Sequence, residues 1–572
     1  MRRVPVLLLL LMVAGMLTPS YAEAQTIPGV TFGGQVGTYG EFYGVNGTDR
    51  RRPPASARLF LRPTLSVYDK LTINFDFLLS TENRAFQSSA RQSMNQYAIH
   101  PEWAWGAAHI GDYRDTYSPM TLAGVRVRGA GFAVWRGPLR FAALGGKTQR
   151  AVPGGATTGR FERNLFGGMI GVGDPTRSSI GLIVLRARDA VDSRALPEDS
   201  VPIIDPQPDT VFVEDTLQVG VTSNPFAVTP QENLIIGLAG NIELFQRALS
   251  LRGEIAGAAY TRDMRTDEIE SEDVLDRIPG LVRWMYTPRV GSTVDYAYTL
   301  EATARIAPLT ATATFRNIGP GYVSLGVASM QSDLRSMQVS TSLRFRRWNL
   351  RLEGSQQHDN LIGQKVFTTK RTRVGAALAL RASRFWNATF RTNFAGLNND
   401  APDPEHWIAY RSWIFGTNQA LVISRDKLFR SASVAYTYRT TGDENTARVQ
   451  SESASHTLNV RVLMNLTADL SLTPSVGLVR SRFGEQAWAM RETYALGAQL
   501  RLLRGKWTTS LALGSSQVNQ TGSLQGTVTS RYQLTRRDAV TLVARASDYA
   551  NSLDVEQDFQ EYMVTVRWAH RF

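Results

Sequence analysis

Apolar and polar residues alternate one by one through segments of about 10–13 residues, the period of a β-strand with one greasy and one wet face. In Leu71–Ser80, Leu71, Ile73, Phe75, Phe77 and Leu79 share one face, and Thr72, Asn74 and Asp76 share the other. Asp295–Ile306 sets Tyr296, Tyr298, Leu300, Ala302, Ala304 and Ile306 against Asp295, Thr299, Glu301, Thr303 and Arg305. Thr493–Leu502 repeats the scheme, with Tyr494, Leu496, Ala498, Leu500 and Leu502 opposite Gly497, Gln499 and Arg501. Short turns such as Tyr68–Lys70, Arg136–Pro138, Leu503–Gly505 and Thr535–Asp538 take turns with longer polar connectors such as Asp189–Glu232 and Thr261–Thr293. A wet face this persistent beside a greasy one suits a wall between lipid and water, and among sheets only a closed barrel satisfies the backbone in lipid. The pattern predicts one all-β, antiparallel up-and-down transmembrane barrel over residues 25–572. It is expected to have about 24 strands (22–26), the first near 31–43 and the last near 559–572.

The two ends add to this picture. Arg2 and Arg3, the apolar run Val6–Met16 and the small-x-small sequence Ala22-Glu23-Ala24 have the order of a secretory signal peptide, so residues 1–24 are expected to be removed. At the other end, Tyr562, Val564, Val566, Trp568, His570 and Phe572 fall on one strand face. Met563, Thr565, Arg567, Ala569 and Arg571 fall on the opposite face. A last strand of this kind, aromatic to its carboxyl terminus, resembles the terminal signal of bacterial outer-membrane β-barrel proteins. His570 stands where that family usually carries an apolar residue. The resemblance implies a place in the outer-membrane bilayer, short turns facing the periplasm and long loops facing outward. It also implies that the barrel assembly machinery reads the final strand, with Tyr562, Trp568 and Phe572 as the signal.

Residues 94–124 break the alternation. They hold His100, Pro101, Trp103, Trp105, His109, Asp112, Tyr113, Arg114, Tyr117 and Pro119, and the strand count above leaves them out of the wall. A barrel of this size encloses a wide lumen. The stretch is therefore expected to fold inward as a plug or constriction, with Trp103, Trp105, His109, Asp112 and Arg114 as its candidate residues. The competing reading is two further, irregular strands, which would put both tryptophans at an aromatic girdle on the lipid face.

Composition removes other classes. The 572-residue chain is 43% hydrophobic and has no cysteine, and its mean hydropathy is -0.19. That excludes a bundle of apolar membrane helices and a disulfide framework. The formal charge is +13, and only six of the 63 basic residues are lysine. Many of the arginines are expected on the wet, inner face: Arg58, Arg126, Arg128, Arg140, Arg252, Arg305, Arg316, Arg344, Arg351, Arg391, Arg501, Arg545 and Arg567. Fixed guanidinium charge along a pore favours anions. The same groups also suit bracing pairs with Asp76, Glu254, Glu301 and Glu353, which is expected to be their majority use. Nothing clusters in the manner of a nucleic-acid site. The acidic connectors Thr261–Asp276 and Asp189–Asp215 lack a calcium-loop spacing, and the six histidines lie in no HExxH, GxSxG or phosphate-loop context. No enzyme activity, metal or cofactor is expected. The sequence thus predicts a porin-like channel for small solutes, anions favoured. The alternatives are an export barrel for macromolecules with a gating plug, or a structural or adhesive surface barrel.

Overall fold

A computed structural model describes residues 27–81, 95–154, 158–194, 228–271, 276, 279–423, 428–445, 451–518, 521–551 and 558–572. The expected signal segment, residues 1–24, lies outside the described residues. The strands begin with β1 (Val30–Asn46), β2 (Ala55–Val67), β3 (Leu71–Ser80), β4 (Gln96–Trp103), β5 (Gly106–Arg114), β6 (Arg126–Arg136) and β7 (Leu139–Gln149). They continue with β8 (Glu162–Gly173), β9 (Ser179–Ala190), β10 (Glu232–Leu244), β11 (Leu249–Thr261), β12 (Ser292–Ile306), β13 (Leu309–Ile318) and β14 (Leu334–Arg344). Next come β15 (Trp348–His358), β16 (Thr369–Arg381), β17 (Trp386–Asn399), β18 (Ala409–Val422), β19 (Phe429–Asp443) and β20 (Ser453–Asn465). The last are β21 (Leu470–Phe483), β22 (Ala489–Leu502), β23 (Trp507–Val518), β24 (Thr521–Gln533), β25 (Asp538–Asn551) and β26 (Phe559–Arg571).

Consecutive strands pair antiparallel, and β26 returns to β1 to close one 26-stranded sheet. Strands of about 12 residues, rising about 3.4 Å per residue and tilted by about 40°, give a wall roughly 30 Å high. The ring itself, with strands about 4.8 Å apart, is roughly 50 Å across. The faces sort as the alternation predicts. Phe32, Leu61, Phe166, Ile170, Leu300, Val374 and Leu513 are exposed outward, the side a bilayer would cover. No sheet edge is left at the seam, where the Phe572 ring stacks on Phe32 with centroids 5.1 Å apart. The Phe572 carbonyl also accepts from the Gly34 N–H at 3.1 Å. Phe572→Ala is expected to cost about 1 kcal/mol through the lost ring pair. Heat-dependent gel mobility should then show a lower unfolding temperature with the folded form retained.

The count of 24 is corrected to 26, because residues 94–124 contain β4 and β5. Both alternate, but weakly. In β4, Tyr97, Ile99, Pro101 and Trp103 point outward and Ala98, His100 and Glu102 inward. Pro101 carries no N–H for the ladder and is ordinarily confined to edges or bulges. In β5 the glycine and alanine positions have too little side chain to mark a face. The first fourteen strands also contain the one described α-helix, α1 (Gly280–Met285). It folds back against the outer wall, where Tyr286 and Val282 and Met285 cover Leu234, Ala259 and Val184. That leaves Trp284 79% exposed on the outside of the barrel.

Candidate functional site

Strands β7–β10 are apolar on both faces. Leu182, Ile183, Val184 and Leu185 run without a polar break, as do Leu234, Ile235 and Ile236. An inward face of this kind cannot meet water without loss, since burial is worth about 25 cal/mol per Å² of apolar surface. Two connections at the long-loop end turn inward and cover it, 115–125 between β5 and β6 and 319–333 between β13 and β14. Met120, Leu122 and Tyr322 from these segments form one buried cluster with Val127, Leu144, Leu165, Ile183, Leu185, Ile235, Ala297, Ile318 and Leu334 of the wall.

Polar contacts fix the two segments to each other and to the strands. The Tyr322 hydroxyl donates to the Met120 carbonyl at 2.8 Å, and the Ser324 hydroxyl donates to the Thr121 carbonyl at 2.7 Å. Asn233 of β10 donates to the Val323 carbonyl at 3.0 Å and accepts from the Leu325 N–H at 3.1 Å. Glu254 of β11 accepts from the Ser118 hydroxyl and, at 3.1 Å, from the Met120 N–H. Gly326 passes so close to this turn that a Cβ there would lie 2.6 Å from the Thr121 carbonyl oxygen. Below the inward segments a groove of about 490 Å³ is lined by Tyr117, Arg140, Arg252, Glu254, Glu301 and Arg316, among others.

A charged clamp holds the outer rim of the second segment. Asp333 accepts from the Leu361 and Asn360 N–H groups at 2.8 and 2.9 Å. Lys365 Nζ lies 2.6 Å from Asp333 and 3.1 Å from Asp359. Burial disfavours the Asp333 charge, but these backbone donors and Lys365 outweigh it and hold the carboxyl below its ordinary range. Burial likewise opposes the Lys365 charge, and its two carboxylates overcome that and push the amine upward. The depressed acid stabilises the fold above its unfolded pKa of about 4 and stops doing so as pH falls through its folded value. The raised amine stabilises below about 10.4 and is lost as pH climbs past its own folded value. Protection from hydrogen exchange in 359–368, relative to the intrinsic rate at each pH, is therefore expected to fall below about pH 4, and in Asp333→Asn to be low already at neutral pH.

The buried cluster ends at β14. From β15 to β26 the inward face carries small and hydroxyl side chains with exposed arginines among them, including Arg373, Arg391, Arg439, Arg461, Arg491, Arg501, Arg531 and Arg545. None of these eight makes an ion pair among the described residues. The inward acids on the same strands are Glu353, Asp443 and Glu561.

The residues singled out from sequence divide accordingly. Arg252, Arg305, Arg344, Arg351, Arg391, Arg501 and Arg567 share the inward face of their strands. Arg126 and Arg128 do not. Val127 between them is fully buried in the inner cluster, so both arginines point outward, where Arg128 pairs with Asp112 at 2.9 Å. Bracing occurs at Arg62–Asp76 (2.8 Å), Arg252–Glu301 (3.7 Å) and Arg351–Glu353 (3.6 Å), whereas Glu254 anchors the inward segment instead.

The plug candidates Trp103, Trp105, His109, Asp112 and Arg114 are likewise corrected to wall positions. Trp103 and Trp105 meet edge to face at 5.2 Å at the short-turn end of the barrel, with Trp105 half exposed. His109 points inward and hydrogen-bonds His100 at 2.9 Å. Only 115–124, the last third of the suspected stretch, lies on the inner face, and its partner 319–333 was not anticipated. Tyr562, Trp568 and Phe572 all lie on the outward face at the seam.

No family model matches the chain, and no curated protein matches it by sequence. Among solved structures it is similar to an anion-selective porin from Comamonas acidovorans, at 14% identity and TM-score 0.29, covering 50% of this chain and 93% of that one. It is also similar to the P pilus usher (PapC) translocation pore, at 10% identity and TM-score 0.38, covering 94% and 99%. A third is Acinetobacter baumannii OccAB2, at 9% identity and TM-score 0.30, covering 60% and 93%.

Proposed function

We propose that the protein is an outer-membrane channel passing small solutes, anions in preference, along the arc of the lumen that β15–β26 line. The observation that carries this reading is the contrast between two arcs of one barrel: β5–β14 are sealed by inward segments, while none of the described residues covers the arginine-bearing face opposite. A roughly 50 Å ring left empty would be a hole for proteins. Filling one side narrows it toward small solutes, and arginines without acidic partners raise the local anion concentration. Arg140, Arg252 and Arg316 in the groove under the constriction would extend the cationic track along the filled side.

An export barrel with a displaceable plug has less support. The inward segments interlock through buried tyrosine, asparagine and glutamate contacts on several strands, and much of the suspected plug is wall. A structural or adhesive barrel predicts a lumen without current. The assembly machinery's reading of Tyr562, Trp568 and Phe572, and removal of residues 1–24, belong to the same outer-membrane proposal. Planar-bilayer recording under a salt gradient tests it. Steady conductance with a reversal potential of anion sign is expected, and either a silent barrel or cation preference refutes it.

A further inference from the structure

The arginines that failed to point inward raise a separate question. At the loop end of β5–β9, Arg114, Arg126, Arg128, Lys147, Arg186 and Arg188 all project from the outer face of adjacent strands. Neighbouring strands are about 4.8 Å apart, so the five strands present a basic strip roughly 20 Å wide. Three strand carboxylates share it, and Asp192 just beyond β9 lines one pocket with Arg186 and Arg188. Asp112, its side chain 2% exposed, receives Arg128 in a two-pronged contact, 2.9 Å from Nε and 2.9 Å from Nη2, and also lies 3.7 Å from Arg126 Nε. Glu162 takes Lys147 at 2.6 Å and Glu232 takes Arg186 at 2.7 Å. Arg114 and Arg188 are exposed and make no ion pair among the described residues. The strip therefore carries more positive than negative charge, with Arg128 and Arg186 held by the nearly buried acids Asp112 and Glu232.

Below the strip the same outward face becomes apolar, with Ile110, Phe132, Phe141, Phe166, Ile170 and Leu182 exposed. Uncompensated guanidinium groups beside hydrocarbon are costly, so they belong at headgroup level, where an anion can neutralise them. Beside the strip, α1 lies flat on the outer faces of β9–β11 and presents Trp284 outward. Indole rings favour that interfacial depth. Guanidinium binds phosphate through a planar fork of donors.

We propose that the outer surface of β5–β9 at the loop end is a binding site for net-anionic, phosphate-bearing lipid headgroups of the surrounding leaflet, held by Arg114, Arg188 and their neighbours. The site requires the barrel to sit in a bilayer but not to conduct, so it stands or falls apart from the channel reading.

Native mass spectrometry of the detergent-purified barrel tests it, with phosphatidic acid and phosphatidylcholine of identical acyl chains as probes. Phosphatidic acid should stay bound and phosphatidylcholine should not. The double variant Arg114→Gln/Arg188→Gln should weaken phosphatidic acid binding about fivefold for each guanidinium removed. Arg114→Lys/Arg188→Lys should keep most of it, and Arg501→Gln/Arg545→Gln on the inner face should leave it unchanged. Heat-dependent gel mobility reports that each variant is folded. Equal retention of both lipids, or unchanged affinity in the folded glutamine variant, overturns the proposal. So does complete displacement by inorganic phosphate at matched concentration, which would indicate a free-phosphate site. A change in oligomeric mass with lipid uptake unaltered would mark the strip as a contact between copies and overturn it as well.

Discussion

Tyr322→Ala is expected to loosen the filled arc of the lumen by about 3–5 kcal/mol, the cost of truncating a fully buried aromatic residue. Tyr322 has no exposed surface, and its hydroxyl is the direct link from 319–333 to the Met120 carbonyl at 2.8 Å. The substitution removes the ring from the centre of the cluster and leaves that carbonyl without its donor. The β-ladders of the barrel do not depend on either group. Single-channel conductance should therefore rise and protease should cut sooner within 115–125, while the folded barrel still migrates as such before heating. Glu254→Ala should act the same way, since it takes the acceptor from both Ser118 and the Met120 N–H. Glu254→Gln keeps an acceptor of the same size and should have a much smaller effect. A folded Tyr322→Ala barrel with native conductance and a native cleavage pattern would mean that these segments do not restrict the pore.

How much of this was legible in the sequence depends on what alternation can encode. It reports a face whenever one side meets lipid and the other meets water, so Leu71–Ser80 is placed to the residue and Asp295–Ile306 to within three residues at its start. It weakens where side chains are small or special. β4 and β5 are the two shortest strands; Pro101 sits in the first and Gly111, at φ 96°, in the second. The face of Arg126 and Arg128 was misjudged for a related reason. Gly129 and Gly131 erase the alternation just where it would have shown that Val127 is the inward residue. The cover over β5–β14 did leave a trace, the unbroken apolar runs at Leu182–Leu185 and Leu234–Ile236. A strand apolar on both faces needs two apolar environments, and in a barrel the second must be supplied by the chain itself. Which connection supplies it depends on contacts between residues two hundred positions apart, such as Ser324 with Thr121, and no local pattern carries that.

Reversing the charge of Arg391, Arg461, Arg501 and Arg545 to glutamate is expected to turn the channel's preference from anions to cations. All four are exposed on the inward face of the uncovered arc, on β17, β20, β22 and β25. None is held by an acidic partner among the described residues, so the reversal leaves no buried carboxylate stranded and the fold should survive. The range of the effect follows from screening. At 0.1 M salt the Debye length is about 10 Å, and at 1 M it is about 3 Å. Were the whole ring of roughly 50 Å open, ions near its centre would scarcely feel the wall. With one arc filled, permeating ions are held closer to the arginines, and selectivity should be clear at 0.1 M and weaker at 1 M. Reversal potentials across a salt gradient measure both effects. The sign should change in the quadruple variant, and selectivity in the native protein should fall with salt. Opening the filled arc with Tyr322→Ala should also weaken native selectivity, because it moves part of the current away from the charged wall. If the quadruple variant conducts and still prefers anions, the selectivity lies elsewhere, with the groove arginines Arg140, Arg252 and Arg316 next to be reversed. If native selectivity is indifferent to salt, fixed charge on this arc is not its source.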